Sequence, residues 1–381
     1  MKLLYLSTWD FSNEKFDGVC KKISAQVIAF VKNEVEVDII YIKDGMIIYR
    51  ESGTDRVIGK VGNIKKTPAY IKMYKYVKNK KYDWIYNRYG MMDTFYYRVL
   101  KQLRKNGARI LVEIPTYPYI FEKPKGFFYG LFFAWDQGYI HKLKKIINRV
   151  ITYSKDDFIF DIPTIKIING INLSDVTIAQ KNDGLDDSIN LLAVAYMQPY
   201  HGYERLLRGL KDYYRNGGKR NVQCHFVGEG PEKVLYEKLA AQYELRNHVT
   251  FYGALSGRKL DDVFNICDIG VCTLGGYKKG LHLSSELKSR EFLAKGLPIV
   301  SGIEIDVLSN RKFPYYLQLS NDDTDIDIIK LIEFYDKVYH NQESIGEIRK
   351  AIRSFAQEYI DMPVTMLPVI EYMRRGDTPI A

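Results

Sequence analysis

The chain has 381 residues, of which 46% are hydrophobic and 27% charged, and it carries a formal net charge of +10 at pH 7. This length suits two domains that each bury a core, and the excess positive charge favours anionic partners, namely sugar-nucleotide diphosphates, anionic lipid or nucleic acid. The four cysteines form no paired CxxC motifs, which argues against a zinc or disulfide framework. The first residues lack a signal-peptide core, and the longest apolar stretch, 127–135, is shorter than the ~20 residues of a membrane span. We therefore expect a cytoplasmic protein.

The first half of the chain alternates predicted strands with predicted helices. Apolar runs predict strands at 2–7, 35–42, 84–86, 110–114, 150–153 and 164–168, and helical spacing predicts helices across 23–31 and 95–104. Strands separated by helices indicate a parallel sheet that is covered on both faces. A polar stretch at 179–188 is typical of a linker.

The second half repeats this pattern after the linker. Strands are predicted at 190–196, 222–227, 249–252, 269–273 and 297–300, and helices near 204–214, 232–243, 258–265 and 289–295. We predict an α/β fold of two Rossmann-like, doubly wound domains, 1–185 joined by a C-terminal helix at about 358–381, and 186–357. Ligands of such sheets bind at the carboxyl ends of the strands, so we expect the site in a cleft between the two domains.

An ordered series of motifs in the second half indicates a function. The turn FVGEGP at 226–231 is followed by VTFYG at 249–253, CDI at 267–269 and EFLAKGLPIV at 291–300. Glycines between a strand and a helix let the backbone approach a ligand, and the helix N-terminus favours a phosphate. Over residues 190–302 this series resembles glycosyltransferase family 4, a retaining group with the GT-B fold. Gly18-Val19, the turn at 168–171 and the run at 113–119 are similar to that family as well, the last to its enzymes of bacterial surface polysaccharide assembly.

The resemblance implies a site for the donor nucleotide. Glu291 would accept hydrogen bonds from the ribose hydroxyls, because a carboxylate at a helix start offers two oxygens to a vicinal diol. The alternative is a simple helix-start carboxylate. The residues expected to bind the nucleotide are Glu291, Gly18, His201, Gly202, Gly228, Gly230, Gly253, Ala254 and Leu255.

The loop after the first strand of the second domain departs from the family pattern. The family supplies an Arg and a Lys to the diphosphate from this loop, whereas here His201 stands at the Lys position and the Arg is missing. A diphosphate needs cations or backbone donors, so we predict that Arg205 and Lys288 replace the missing pair in catalysis. Lys288 precedes Glu291 by three residues and would share its helix face if the helix begins early enough. Alternatively, both are solvated surface charges.

A second departure affects recognition of the donor sugar. The family's Glu-x7-Glu pair lacks its first member, since Leu283 stands there and Glu286 is out of register. We predict that the loop at 275–282 contacts the sugar instead, through backbone N–H groups and through three residues in particular, Gly276, Lys279 and Gly280. A flexible turn is the alternative.

Acidic residues elsewhere offer further candidates. Glu113 follows an apolar strand where many family members place a His near the reacting sugar, so it would steer an acceptor hydroxyl or stabilise positive charge on the anomeric carbon. A structural carboxylate is the alternative, and Glu122 is a weaker candidate for acceptor contact. The Asp-x-Asp within 322–325 is interpreted as a solvated loop. We predict no metal and no other cofactor, because side chains and helix dipoles stabilise the leaving diphosphate in GT-B enzymes.

Two basic and aromatic regions suggest contact with a membrane surface. Lysines and tyrosines alternate across 65–82, and the apolar run 127–135 precedes a predicted amphipathic helix at about 140–150. Together they favour an interfacial surface beside a lipid-tethered acceptor, whereas the alternative is an ordinary helix packed on the sheet. No nucleic-acid recognition module is visible, so a nucleic-acid partner is not expected.

The sequence therefore predicts a retaining glycosyltransferase of surface polysaccharide synthesis at the inner face of the plasma membrane. It would move a hexose or related sugar from a nucleoside diphosphate donor to a hydroxyl of a glycan or lipid-linked glycan. Two alternatives remain: a non-catalytic GT-B partner subunit and a sugar-nucleotide epimerase.

Overall fold

The computed structural model describes residues 1–12, 17–61, 66–89, 94–115, 117, 138, 142–181, 188–340 and 343–376. The chain forms two compact units, unit 1 from Met1–Ile167 with Met362–Ala381, and unit 2 from Ile168–Asp361. The sequence placed the two boundaries at 185/186 and 357/358. The stretch that follows Ile167 groups with unit 2 because Leu173 and Ala179 pack into the core of that unit and Asn169 bonds to Ser285.

Unit 1 is built, within its described residues, on a nine-stranded sheet of order β4-β3-β2-β1-β5-β6-β7-β9-β8. Its strands are β1 (Lys2–Asp10), β2 (Glu36–Lys43), β3 (Met46–Glu51), β4 (Thr54–Lys60), β5 (Trp84–Arg88), β6 (Arg109–Ile114), β7 (Arg149–Thr152), β8 (Phe158–Ile159) and β9 (Ile162–Lys166). Its first helices are α1 (Asp17–Lys32), α2 (Lys66–Val77) and α3 (Thr94–Lys105). Strands β2, β1, β5, β6, β7 and β9 run parallel, and β3, β4 and β8 add antiparallel edges.

Both faces of this sheet are covered, as the apolar runs predicted. Successive side chains of a strand point to opposite faces, so Leu3 and Tyr5 pack with α1, whereas Leu4 and Leu6 pack with α2 and α3. The last helices of the chain cover the same face as α1. The antiparallel hairpin was not predicted; its turns hold Asp44 with Gly45 and Ser52 with Gly53 at positive φ, a geometry typical of tight hairpins.

Unit 2 is built, within its described residues, on a six-stranded parallel sheet and a separate pair of short strands. The strands are β10 (Ser188–Val194), β11 (Asn221–Val227), β12 (Val249–Gly253), β13 (Ile269–Val271), β14 (Leu283–Ser284), β15 (Ile299–Ser301), β16 (Glu304–Ile305) and β17 (Tyr316–Gln318). The remaining helices are α4 (Glu204–Arg215), α5 (Lys233–Gln242), α6 (Arg258–Ile266), α7 (Leu287–Lys295), α8 (Ile328–Tyr339) and α9 (Ile345–Tyr359), followed in unit 1 by α10 (Met362–Thr365) and α11 (Leu367–Arg375).

The strand order of unit 2 fixes where a ligand is expected. The sheet runs β12-β11-β10-β13-β15-β17, so the direction of winding changes between β10 and β13. In doubly wound sheets a ligand binds at such a switch point, beyond the carboxyl ends of the two strands. A ligand-binding site is therefore expected at the loops that follow β10 and β13.

The amphipathic helix predicted at about 140–150 is only partly described: residues 142 and 143 are helical, and a turn at 144–146 ends the helix before the predicted end. Leu143, Ile146 and Ile147 are buried in the core, and the chain enters β7 at Arg149. The apolar side chains here pack on the sheet, which was the ordinary alternative to a membrane-facing role. The apolar run at 127–135 and Glu122 lie outside the described residues. In the part of the chain that the structure describes, no helix is long and apolar enough to cross a membrane.

Candidate functional site

The two loops at the switch point of unit 2 pack backbone against backbone. Gly202 follows the loop after β10 with φ of +66°, and a Cβ at this position would clash with the backbone of Gly275 in the loop after β13. The amide of Leu274 donates to the carbonyl of His201 at 2.8 Å. Glycine is required at 202 by both its backbone conformation and this close approach. The structure thus brings two segments, 199–203 and 274–280, into one surface.

The glycine-rich loop after β11 joins the same surface. Gly228 and Gly230 have φ of +125° and +140°, and a Cβ on either would clash with the backbone of the loop that follows β10. Gly228 donates from its amide to the carbonyl of Gly253 at 2.7 Å. These predicted nucleotide-binding glycines therefore lie together. The close packing of the loops requires glycine at these positions whether or not a nucleotide binds. Ala254 is exposed and Leu255 half-buried beside them.

His201 is a neutral hydrogen-bond donor at this surface. Its ring is 5% exposed and lies parallel to the Tyr203 ring, with centroids 5.6 Å apart. Burial, and then the charges of Lys288 and Lys279, lower the pKa of His201 to about 3. Because Nδ1 accepts the backbone N–H of Gln198 at 3.0 Å, the proton of the neutral ring is assigned to Nε2. The residue at the family's Lys position thus offers an N–H and no charge.

Lys288 supplies the cation that this loop lacks. Helix α7 begins at Leu287, so Lys288 and Glu291 share one helix face. The Lys288 side chain is 13% exposed, and its Nζ lies 3.3 Å from the Tyr203 hydroxyl and 3.9 Å from Glu286 Oε2. Burial lowers the pKa of Lys288, and Glu286 opposes this shift. Glu286 is itself tied to the end of β13, because it accepts from Thr273 Oγ1 at 2.6 Å and from Thr273 N at 3.3 Å.

A nearly buried ammonium at a helix N-terminus suits a bound anion. Desolvation of a charge is costly unless a partner of opposite sign is close, and the N-terminal turn of a helix adds partial positive charge. Glu291, one turn further along α7, is half-buried. Sequence reasoning missed Tyr203, Thr273 and the contact of Glu286. Glu286 directly precedes the observed helix, whereas the predicted helix began only at residue 289, so its position gave no local signal.

Arg205 does not reach this surface as a free cation. The side chain is fully buried, and it donates to the carbonyls of Leu274, Ser320 and Thr324 and to the hydroxyl of Ser320. The Asp322 carboxylate lies 3.6 Å from its Nη2. These contacts occupy the guanidinium and give it a structural role. The predicted catalytic role of Arg205 is therefore not retained.

The loop expected to contact the sugar is held in one conformation. Gly276 is buried, and a Cβ there would clash with the side chain of Ile303. Gly280 is exposed with φ of +63° and has open space around it. Lys279 lies with its Nζ 3.8 Å from the centroid of the Tyr200 ring. Tight packing and this cation–π contact argue against a merely flexible turn.

Asn321 clamps the two ends of this loop. Its Oδ1 accepts from Tyr277 N at 2.9 Å, and its Nδ2 donates to Leu281 O at 2.8 Å. The acidic residues that follow are also bound, since Asp323 accepts from the Tyr277 hydroxyl at 2.8 Å and from Arg208 Nη2 at 3.1 Å. The Asp-x-Asp segment is thus an ion-paired anchor. Among the residues that the structure describes, no group of three or more His, Cys, Asp or Glu could hold a metal ion.

Glu113 in unit 1 has a full set of partners. Its Oε1 accepts from Arg88 at 2.8 Å and from the Tyr153 hydroxyl at 3.1 Å, and its Oε2 accepts from the Tyr86 hydroxyl and from Gln26, each at 2.7 Å. Burial raises its pKa, but Arg88 and the hydrogen bonds outweigh burial and lower it overall. The fully buried carboxylate matches the structural alternative better than the catalytic one. Gly18 is exposed in the first turn of α1, and its nucleotide contact stays a prediction.

Comparisons with known proteins agree with this architecture. The family described as Glycosyl transferases group 1 matches residues 176–276, which include the loops after β10 and β11 and the first part of the loop after β13. A search of curated protein sequences found no significant match. A glycosyltransferase from Rickettsia africae has a similar structure, with a TM-score of 0.63, 11% identity and 99% of each chain covered.

Two further solved structures have the same arrangement. Anabaena Alr3699/HepE in complex with UDP gives a TM-score of 0.59 at 12% identity over 98% of this chain and 100% of that one. Sucrose-phosphate synthase from Thermosynechococcus elongatus gives a TM-score of 0.59 at 15% identity over 98% of both chains. These similarities establish the fold. The chain has the two-domain GT-B architecture, which confirms the fold class predicted from the sequence.

Proposed function

We propose that the chain is a retaining glycosyltransferase that transfers a sugar from a UDP-sugar to a hydroxyl of a glycan or lipid-linked glycan in surface polysaccharide synthesis. The key supporting observation is Lys288, a nearly buried cation on the first turn of α7 and on the same face as Glu291. The partial family match over the switch-point loops supports sugar transfer. UDP is chosen because HepE structures contain UDP and UDP-glucose.

The diphosphate of the donor would bind at the start of α7. Lys288 offers a charge that Glu286 balances only in part, since that carboxylate is also held by Thr273. His201 adds a neutral N–H from the opposite loop, and the N-terminal amides of α7 add partial positive charge. Charge-assisted hydrogen bonds of this kind are about twice as strong as neutral ones. A dianionic group would therefore relieve the unfavourable burial of Lys288.

The ribose would bind one turn further along the same helix. Three residues of α-helix advance the chain by about 4.5 Å, so Glu291 lies beyond Lys288 in the direction away from the diphosphate. Its two carboxylate oxygens suit the two neighbouring hydroxyls of a ribose. The base would then meet the exposed backbone around Gly253 and Ala254 at the end of β12.

Sugar transfer requires stabilisation of the leaving group. The bond between the anomeric carbon and the phosphate oxygen breaks, and its electron pair stays on the diphosphate. The acceptor oxygen forms the new bond to the same carbon and gives its proton to the departing diphosphate oxygen. Lys288 and the helix dipole are positioned to stabilise the negative charge that grows on the diphosphate, without requiring a metal ion. Retention of configuration is proposed from the family resemblance alone.

Contact with an anionic membrane surface is part of the same proposal. It is supported by the net charge of +10 and by exposed Lys142 and Lys145 beside the buried Leu143 and Ile146. Each basic residue near an anionic bilayer contributes about 1 kcal/mol. We expect the protein to sediment with phosphatidylglycerol vesicles but not with phosphatidylcholine vesicles. Sedimentation with neither kind of vesicle would refute the proposed membrane contact.

The first test is a thermal-shift panel with UDP, GDP, CDP and ADP in EDTA. A ligand at a hundred times its Kd stabilises by about 2.7 kcal/mol, and each kcal/mol raises the melting temperature by about 2–4 °C at this domain size. We expect UDP to shift the wild type by several degrees. Glu291→Ala should lose the shift, whereas Glu333→Ala, an exposed carboxylate on α8, should keep it.

The same panel separates the alternatives. A non-catalytic partner subunit has no need for a nucleotide, so no shift with any of the four would favour it. An epimerase would convert a UDP-sugar without an acceptor, which product analysis in the absence of acceptor detects. Release of UDP only when a glycan acceptor is added would support transfer over both.

A further inference from the structure

A basic groove of about 530 Å³ lies between α2 and α3 of unit 1. The walls are formed by one face of each helix, at spacings of three and four residues. From α2 and its end come Ile71, Tyr74, Lys75 and Lys78, and from α3 come Phe95, Arg98, Lys101, Gln102 and Lys105. The opposite faces of both helices pack into the core, so the groove lies on the outer surface of the unit.

The charge in this groove is not balanced. Five cations and no carboxylate line it. Among the described residues none of the five forms an ion pair, whereas Lys2, Arg50 and Lys80 elsewhere in unit 1 all do. A concave surface lined by one sign of charge concentrates the electrostatic potential and attracts counter-charges. The groove is therefore complementary to a ligand with several negative charges.

Its shape favours a chain over a bilayer. The charges Arg98, Lys101 and Lys105 extend over seven residues of helix, a distance of about 10 Å, which spans more than one anionic group. The apolar side chains that line the groove, Ile71, Tyr74 and Phe95, are half-buried. The exposed large hydrophobic side chains of the described surface lie outside the groove. A surface that enters a bilayer presents protruding apolar side chains. Recessed Tyr74 instead forms a floor against which the apolar face of a sugar ring can pack, beside the Phe95 ring, which the Arg98 guanidinium covers at 5.4 Å from the ring centroid.

We propose that the α2–α3 groove binds an acidic glycan chain, with its anionic groups on the five cations and a sugar ring on Tyr74. The choice of a glycan over another polyanion rests on the proposed function, in which a growing glycan is the acceptor. In this role the groove holds a part of the acceptor chain that is remote from the reacting hydroxyl and selects acidic polymers. Neutral acceptors of the same length would bind more weakly.

The test measures binding of two labelled hexasaccharides by fluorescence anisotropy, a hexamer of galacturonic acid and the neutral maltohexaose. The wild type should bind the acidic hexamer and lose affinity as salt is raised, and should bind the neutral one weakly. The variant Arg98→Gln/Lys101→Gln/Lys105→Gln should bind the acidic hexamer about tenfold more weakly, as expected for three exposed charge pairs. The matched control Lys32→Gln/Lys43→Gln/Lys337→Gln removes three exposed lysines outside the groove and should change affinity less than about twofold.

Several results would overturn the assignment. Equal affinity of the groove variant and the control, or no binding of the acidic hexamer by the wild type, removes the glycan site. Tighter binding of a 12-nucleotide poly-dT that is lost in the groove variant assigns the groove to nucleic acid. Loss of sedimentation with phosphatidylglycerol vesicles in the groove variant alone assigns it to the membrane.

Failure of the glycosyltransferase proposal gives a different pattern. The groove variant should keep the wild-type thermal shift with UDP, because the switch-point loops of unit 2 are unchanged. Absence of any nucleotide shift in the wild type, together with acidic hexamer binding that depends on the groove, would leave a glycan-binding protein without the proposed activity.

Discussion

Replacement of Lys288 by Gln tests the donor site most directly. The change removes the charge and keeps a polar side chain at the start of α7. With an effective dielectric constant of about 20, two unit charges about 4 Å apart interact by about 4 kcal/mol. Glu286, at 3.9 Å, already offsets part of the lysine charge. We therefore expect a loss of roughly 2–3 kcal/mol of transition-state stabilisation, which lowers kcat/KM by about 30- to 150-fold.

The folded state should tolerate this change. Burial lowers the pKa of Lys288, which means that its charged form is unfavourable in the folded protein without ligand. Lys288→Gln should therefore melt at the wild-type temperature or above it. Initial rates with UDP-sugar and acceptor, and melting curves without ligand, are the measurements, with Lys330→Gln on α8 as an exposed control. Wild-type kcat/KM in the variant, or a loss of activity that follows a lowered melting temperature, would refute the role.

The pH profile gives an independent readout of the same residue. Lysine titrates at about 10.4 when unperturbed, and burial is the first cause of a lower value here. Activity that needs the ammonium should fall, as pH rises, through a pKa below that value, and Lys288→Gln should lack this limb. Bound diphosphate stabilises the ammonium, so the limb of kcat should lie at higher pH than the limb of kcat/KM. The opposite order would mean that Lys288 does not contact the anion.

Further predictions concern stability and the loops. Glu113→Ala leaves Arg88 buried without its partner, which should lower the free energy of unfolding by about 3–5 kcal/mol. Because the pKa of Glu113 is lowered in the folded protein, the stability that its ionised form contributes is present above about pH 4.3 and is lost as the pH falls through the pKa of the folded state. Gly230→Ala should abolish the UDP thermal shift, since it combines positive φ with a clash, whereas Gly280→Ala, with positive φ and open space, should cost only about 1–2 kcal/mol and keep the shift. His201, with a pKa of about 3, should contribute no titration between pH 5 and 8 to kcat/KM, and an ionisation near 6.5 that vanishes in His201→Asn would contradict the assigned neutral ring.

The main strands could be predicted because each central strand is an apolar run. Strand β10 is buried on both faces and five of its seven residues are apolar, whereas β11 carries its apolar residues mainly at alternate positions, Val222, Cys224 and Phe226. The hairpin of β3 and β4 was missed because its outer strand is mostly exposed and has no apolar pattern. Its inner strand carries a short apolar run, 46–49, and its turns, Asp44-Gly45 and Ser52-Gly53, are typical of tight hairpins.

The candidate site was harder to predict because helical spacing places residues on a face but does not say which charges stay free. Lys288 and Glu291 were paired correctly by their separation along α7, whereas Arg205 is also near the site in sequence and is buried under loop carbonyls. The clamp of Asn321 on Tyr277 and Leu281 joins segments about 40 residues apart. Contacts of this kind depend on the tertiary fold, and no local pattern predicts them.

The arrangement of charge at the switch point would let the chain depart from the pattern of the family that it resembles and still bind the proposed diphosphate. The family resemblance implies cations on a loop, whereas here the loop offers His201, which the nearby Lys288 and Lys279 help to keep neutral. The cation, Lys288, lies instead at the start of a helix, where Tyr203 and Glu286 contact its ammonium group. A cation on a helix loses less conformational freedom on binding than one on a loop. Burial first, and then the charge of Lys288, lower the pKa of His201, and a protonated His201 would repel Lys288, so the neutral ring is compatible with the lysine at the helix start.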